Sequence, residues 1–172
     1  MKKVLLSLRP EWAKEIFVTK RKTIEVRKSR PKLELPFEVL VYQTKDKGKS
    51  RVSEVFNSVY GGGKVIGEFV CDRVEEYTFS GYNARYRIND ADLAKTCLNH
   101  PELISYGKGK DLYGWHISDL KIYDKPKELG EFSYPAEHNF TKRTIKESRE
   151  MGFICHGVYI TRPPQSWCYI EV

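Results

Sequence analysis

Hydrophobic positions along this chain change period several times, and each change marks an element. Lys3–Ser7 is a short β-rich run that predicts a first strand. Pro10 suits the first turn of a helix, where its missing amide costs nothing. Trp12, Ala13, Ile16 and Phe17 then recur at helical spacing while Glu11, Lys14 and Glu15 face outward. The pattern predicts a helix over Pro10–Thr19 that closes one side of the fold, with Trp12, Ile16 and Phe17 buried. Thr23-Ile24-Glu25-Val26-Arg27 alternates polar with apolar and predicts a half-buried strand. Period two turns Ile24 and Val26 to the core and sets Thr23, Glu25 and Arg27 together on the other side.

The later elements follow the same logic. Phe37–Tyr42 is nearly continuous apolar sequence and predicts a central strand. Lys64–Val74 predicts another, with Val65, Gly67, Phe69 and Cys71 on one face. Gly67 in mid-strand marks a bulge, a barrel corner or the close approach of another backbone. Asn89 or Asp90 caps a helix through Leu98, and Pro101–Tyr106 forms a second short one. Tyr113–Tyr123 returns to strand, ended by Lys125-Pro126, and a Pro163–Ser166 turn feeds a last strand. Residues 44–63 and 128–150 are polar, with helical pieces expected near Val52–Val59 and Lys142–Glu150. Gly61–Gly63 reads as a turn or hinge.

Composition narrows the class. The chain has 172 residues, enough for one domain, with 40% hydrophobic and 31% charged residues, a soluble globular mixture. No apolar run approaches the ~18 residues that span a bilayer. The Met1-Lys2-Lys3 opening leads to an apolar segment that soon meets Arg9, Pro10 and Glu11, unlike a signal peptide. A cytoplasmic protein with no membrane partner is expected. Cys71, Cys97, Cys155 and Cys168 contain no CxxC pair, which suits reduced thiols. Neither Cys97-x-x-His100 nor Cys155-His156 has paired zinc-ligand spacing, so no metal and no cofactor are expected. Gly48-Lys49-Ser50 resembles the end of a phosphate-binding loop, but Gln43 stands where that motif needs a glycine.

Charge supplies the candidate chemistry. The formal net charge is +7, which favours an anionic partner, nucleic acid first. Seven cations (Lys20, Arg21, Lys22, Arg27, Lys28, Arg30, Lys32) crowd the stretch from Thr19 to Lys32 around one carboxylate, Glu25. A lone acid among cations on a rigid strand is either a polar site or an ordinary cross-strand ion pair. Aromatics make up 13% of the chain, and Tyr77–Arg87 is both aromatic and basic, a nucleic-acid surface or a packed tyrosine-rich loop.

The ordered elements bring a family into view. Arg21-Lys22-Thr23-Ile24-Glu25-Val26-Arg27 after an amphipathic helix, then Lys64-Val65-Ile66-Gly67-Glu68-Phe69, resembles the ASCH (activating signal cointegrator homology) domain. Tyr113-Gly114-Trp115, Lys125-Pro126 and Pro163-Pro164-Gln165-Ser166-Trp167 are similar to the longer bacterial and phage-type members. The resemblance covers most of the chain, with insertions at about 44–63 and 128–160, and implies a single domain over residues 1–172. It implies an α+β fold, a PUA-like mixed and mostly antiparallel β-barrel with flanking helices. It also implies a cleft beside the helix-to-strand turn and a role in recognising RNA or modified nucleobases. Some compact members are amidohydrolases that deacetylate acetylated cytidine with a lysine and a threonine of this motif and a separate glutamate. Lys22 matches the lysine; Glu25 stands where those enzymes have their threonine, and no glutamate carries over as the third member.

The expectation is therefore a module binding RNA, a nucleotide or a nucleoside, with DNA as a second polymer candidate. Its expected site comprises Arg21, Lys22, Thr23, Glu25, Arg27, Lys28, Arg30, Gln165, Ser166 and Trp167. Arginine suits phosphate because its fork bonds two oxygens at once, and Glu25 is placed to accept from an exocyclic amine. The alternative is a small nucleoside or RNA hydrolase, of amidohydrolase or ribonuclease type, with Lys22 as reactive amine and Glu25 as proton acceptor.

Overall fold

The computed structural model describes residues 2–45, 62–135 and 158–172. The helical pieces expected at Val52–Val59 and Lys142–Glu150, and Cys155-His156, lie outside them. Among the described residues, eight strands and three α-helices follow one another as β1 (Lys2–Leu8), α1 (Pro10–Phe17), β2 (Ile24–Arg27), β3 (Phe37–Gln43), β4 (Lys64–Tyr77), β5 (Phe79–Ser80), β6 (Arg85–Tyr86), α2 (Asp90–Thr96), α3 (His100–Gly107), β7 (Leu112–Lys127) and β8 (Trp167–Glu171). A short 3-10 turn, Leu129–Glu131, follows β7.

Six strands form one sheet in the order β2-β7-β4-β3-β1-β8, and β5 pairs with β6 as a small ribbon. Every pair in the large sheet is antiparallel except β1 with β3. That parallel pair requires a crossover, which α1 and β2 supply. Strand β7 continues through Lys125-Pro126 to Lys127, past the expected stop.

The expected closed barrel does not form among the described residues, because β2 and β8 remain the two sheet edges. Side chains join these edges where a ladder would. Trp167 Nε1 donates to Ser29 Oγ at 3.2 Å, and the Lys32 amide donates to the Tyr169 hydroxyl at 2.6 Å.

Both faces of the sheet are covered. On one, Ala13, Ile16 and Phe17 of α1 pack on Val4, Leu6, Val39, Val41, Phe69 and Trp115. On the other, Leu5, Leu40, Tyr42 and Ile170 pack with Leu129, Phe132 and Ile160. A third cluster joins Val26, Tyr77, Tyr86 and Leu112 to Leu103 of α3. Tyr77 and Tyr86 are thus core residues, and Tyr77–Arg87 is the packed loop rather than an exposed aromatic surface; Tyr82 alone of its tyrosines is fully exposed.

Gly67 explains a face swap that strict alternation misses. The β3–β4 register shifts there, Val41 facing Gly67 and Tyr42 facing Val65, so Ile66 is the extra residue of a bulge. Ile66 consequently packs beside Phe69 and Cys71, while Val65 turns to the opposite cluster. A Cβ on Gly67 would lie 2.7 Å from Phe17 Cε1 and closer still to the Lys121 carbonyl oxygen. No side chain fits, and glycine is required by approach of a neighbouring backbone.

Candidate functional site

The site begins at the turn from α1 into β2. Lys20 takes φ +54°, a left-handed conformation that reverses the chain after the helix. The Lys22 amide then donates to the Glu15 carbonyl at 3.1 Å, and the Thr23 amide to the Lys95 carbonyl at 3.0 Å. Strand β2 enters clamped between α1, α2 and β7. All four of its residues are buried, so the strand is covered on both faces and not half-buried as its pattern predicts. Thr23, just before it, is exposed.

Three buried charges result. Lys22, Glu25 and Arg27 are only 3%, 5% and 9% exposed. Lys22 Nζ lies 3.3 Å from Glu25 Oε2, and Arg27 Nη2 lies 2.9 Å from Glu25 Oε1. Lys22 Nζ also donates to the Thr96 carbonyl at 2.6 Å and sits 5.1 Å from the centre of the Trp12 ring. Arg27 Nη2 donates to the Ser7 carbonyl at 2.9 Å, and Nη1 reaches Ser166 Oγ at 3.4 Å. One polar atom is left over: Arg27 Nε is buried with no hydrogen-bond partner. A buried guanidinium donor without an acceptor is costly unless something else completes it.

These charges line a cavity of about 1040 Å³. Its walls bring together Ser7, Arg9 and Trp12 from the first strand and helix, Lys22 and Glu25 to Ser29 from the basic stretch, Glu102, Ser105 and Tyr106 from α3, and Pro163 to Ser166 before β8. Tyr106 contributes an aromatic wall with Lys28 Nζ 4.8 Å from its ring centre. Burial, above all, pushes the Tyr106 phenol above its ordinary range.

Of the residues expected at the site, Lys22, Glu25, Arg27, Lys28, Gln165 and Ser166 line the cavity. Arg21, Thr23, Arg30 and Trp167 do not. Arg21 is exposed and held by Glu15 through two bonds of 2.8 Å, which lower the Glu15 carboxyl below its ordinary range. Thr23 points into a separate cleft. Trp167 packs edge-on against Trp115, with ring centres 5.8 Å apart, and serves the core. Trp12 makes the reverse correction: its helical spacing predicts burial, yet it is only partly buried and forms a wall of the cavity. Ser7, Ser105 and Tyr106 carry no signal that sequence alone could join to β2, being far from it along the chain.

No family model and no curated protein matches this chain. Solved structures do. The crystal structure of ASCH from Zymomonas mobilis is 19% identical with a TM-score of 0.57, covering 98% of this chain and 87% of that one. A serine-to-alanine variant of that protein gives 19% identity, a TM-score of 0.59 and coverage of 98% and 88%. A tyrosine-to-phenylalanine variant gives 20% identity, a TM-score of 0.57 and coverage of 99% and 91%. Similarity of this kind, over nearly the whole length of both chains, speaks to architecture, and the conclusion is that the chain has the fold of an ASCH domain.

Proposed function

We propose that this protein binds RNA or a nucleotide, with a base or sugar in the cavity beside β2 and phosphate against the basic residues at its rim. The observation that carries this reading is Arg27: a buried guanidinium that lines the cavity, shares Glu25 with Lys22, and keeps its Nε donor free. A free donor beside a carboxylate is the pattern that a nucleobase edge, with adjacent acceptor and amine, would satisfy. Trp12 and Tyr106 supply apolar walls for a planar ring. Arg9 and Lys28 line the same cavity from exposed positions and offer charge to a phosphate.

Binding is favoured over turnover by how Lys22 is held. Its Nζ is directed at the Thr96 carbonyl and at Glu25, so the amine is engaged as a donor and not presented as a nucleophile.

The test is a titration of nucleoside monophosphates and of single-stranded RNA and DNA of one sequence, followed by fluorescence anisotropy at two salt concentrations. Affinity for the polymer should fall as salt rises, by about 0.7 log units per log unit of salt for each phosphate neutralised. Arg27→Lys keeps the charge but loses the fork, and should weaken binding at least tenfold. Absence of binding to all of these probes would sink the reading. Deacetylation of acetylated cytidine or strand cleavage that disappears in Lys22→Met would replace it with the hydrolase.

A further inference from the structure

A second cleft, of about 480 Å³, is lined by Thr23, Asp72, Arg73, Lys95, His116 and Ile117. Lys22 lines the large cavity and its neighbour Thr23 the small one; Lys95 lines the small one and Leu98 the large. The bonds Lys22 Nζ to Thr96 O and Thr23 N to Lys95 O join these two stretches.

The second cleft is rich in donors without acceptors. Arg73 donates from Nη2 to His116 Nδ1 at 3.0 Å and pairs through Nη1 with Glu75 at 2.9 Å. Because Arg73 must be the donor, His116 Nδ1 is the acceptor and the ring proton sits on Nε2. That Nε2 is buried and has no hydrogen-bond partner, in a residue 8% exposed. Glu75 Oε2 is 3.5 Å away, within ion-pair reach but not aligned as an acceptor. Lys95 has one bond, to Asp92 at 3.0 Å, and its side chain is 48% exposed; that of Arg73 is 55% exposed. Glu75 and Asp92, beside the cleft, are therefore already paired with cations, and Asp72 is the carboxylate on its lining. The remaining N–H groups of Arg73 and Lys95, the Thr23 hydroxyl and the His116 N–H outnumber the acceptors there.

We infer that this cleft is a phosphate subsite for the nucleotide adjoining the one in the main cavity, so that the protein engages an oligonucleotide across the Lys20–Thr23 turn. The inference rests on the nucleotide-binding reading of the main cavity. Lys22 and Thr23, consecutive in the turn that leads into β2, line one cleft each. Exposed Lys20 lies on the same turn, two residues before Lys22.

The experiment compares a mixture of the four nucleoside 5′-monophosphates with a mixed-sequence single-stranded RNA trinucleotide, by calorimetry and competition anisotropy. Wild-type protein should bind the trinucleotide at least tenfold more tightly than the monophosphates. Arg73→Ala with Lys95→Ala should remove that gain, leave monophosphate binding within about twofold, and flatten the salt slope by about 0.7. Both side chains are half exposed, and Lys95→Glu alone, which keeps Arg73 on His116, should give the same selective loss. A trinucleotide bound no better than a monophosphate, or a gain that survives both variants, overturns the subsite while the main cavity stands. Failure of monophosphates and trinucleotide alike overturns both.

Discussion

Removing the Glu25 carboxylate should strip this fold of a large share of its stability, because it is the shared counter-charge for two buried cations. Glu25→Ala leaves Lys22 and Arg27, 3% and 9% exposed, without an anion. Breaking a buried pair from one side costs about 3–5 kcal/mol, since the orphaned charge stays out of water. Glu25 lines a cavity that water can enter, so the lower end, about 3 kcal/mol, applies. In a chain of 172 residues each kcal/mol moves Tm by about 2–4 °C, which gives a loss of about 6–12 °C. Circular dichroism melts at neutral pH measure this directly. Lys121→Ala is the control: its pair with Glu68 is 3.5 Å long and its side chain 67% exposed, and such pairs contribute about 1 kcal/mol or less. A Glu25→Ala protein that melts within about 2 °C of wild type would mean that solvent already compensates the two cations, and the buried triad would lose its standing.

Three further outcomes follow from other parts of the molecule. Gly67→Ala drives a methyl into the Lys121 carbonyl and the Phe17 ring, and should cost about 1–3 kcal/mol in urea unfolding; an unchanged midpoint would show that the bulge relaxes freely. Asn99→Ala removes the capping box that joins the Asn99 side chain and the Glu102 amide, 2.9 Å apart, and should cost about 1 kcal/mol, read as a fall of about 2–4 °C in Tm. Asp92 is held below the ordinary carboxylate range by Lys95 first and by the Asn89 side chain next. Its folded value lies below its unfolded one, so its stabilisation is present above about pH 4 and fades as pH falls through the folded value. Asp92→Asn should therefore melt below wild type at pH 7 and draw level with it in strong acid; a gap independent of pH would refute the assignment.

Much of the fold was legible because burial and period agree. Strand β1 carries Val4, Leu6 and Leu8 to one face and Leu5 to the other, as period two requires. Pro10 opens α1, and Asn89 caps α2 through its own side chain, accepting from the Asp92 amide. Alternation failed where an extra residue entered the ladder. Ile66 sits in a bulge, and no local pattern distinguishes a bulged strand from a regular one until its partners are known. The barrel failed for a related reason: strand count and twist are local, whereas closure depends on whether two edges meet, and here side chains bridge them instead.

Of the site, the part legible in the sequence is the part built by one short stretch. Lys22, Glu25 and Arg27 fall within six residues, and the end of the α1–β2 turn together with β2 holds the two ion pairs among them. What completes the site comes from elsewhere. Ser7 offers its carbonyl to Arg27 across 20 positions, Thr96 accepts from Lys22 across 74, and Ser166 meets Arg27 across 139. None of these residue types is chemically distinctive, and two act through backbone carbonyls that every residue has. Trp12 was misplaced for a different reason. Helical spacing tells which side of α1 faces inward, but a cavity is also inward, and the periodicity of a buried wall equals that of a cavity wall. Charge separates the two cases: Lys22 Nζ lies over the Trp12 ring, and an aromatic that hosts a buried cation borders a polar interior. The seven-cation stretch, read linearly, spreads one property over residues that the fold then assigns to different tasks. Arg21 braces α1 through Glu15, Arg27 enters the cavity, Lys28 guards its rim over Tyr106, and Thr23 faces the other cleft. A one-residue shift of β2 in its ladder would turn Glu25 and Arg27 to the opposite face, which is why the site depends on how the α1–β2 turn sets the register as much as on the charges that follow it.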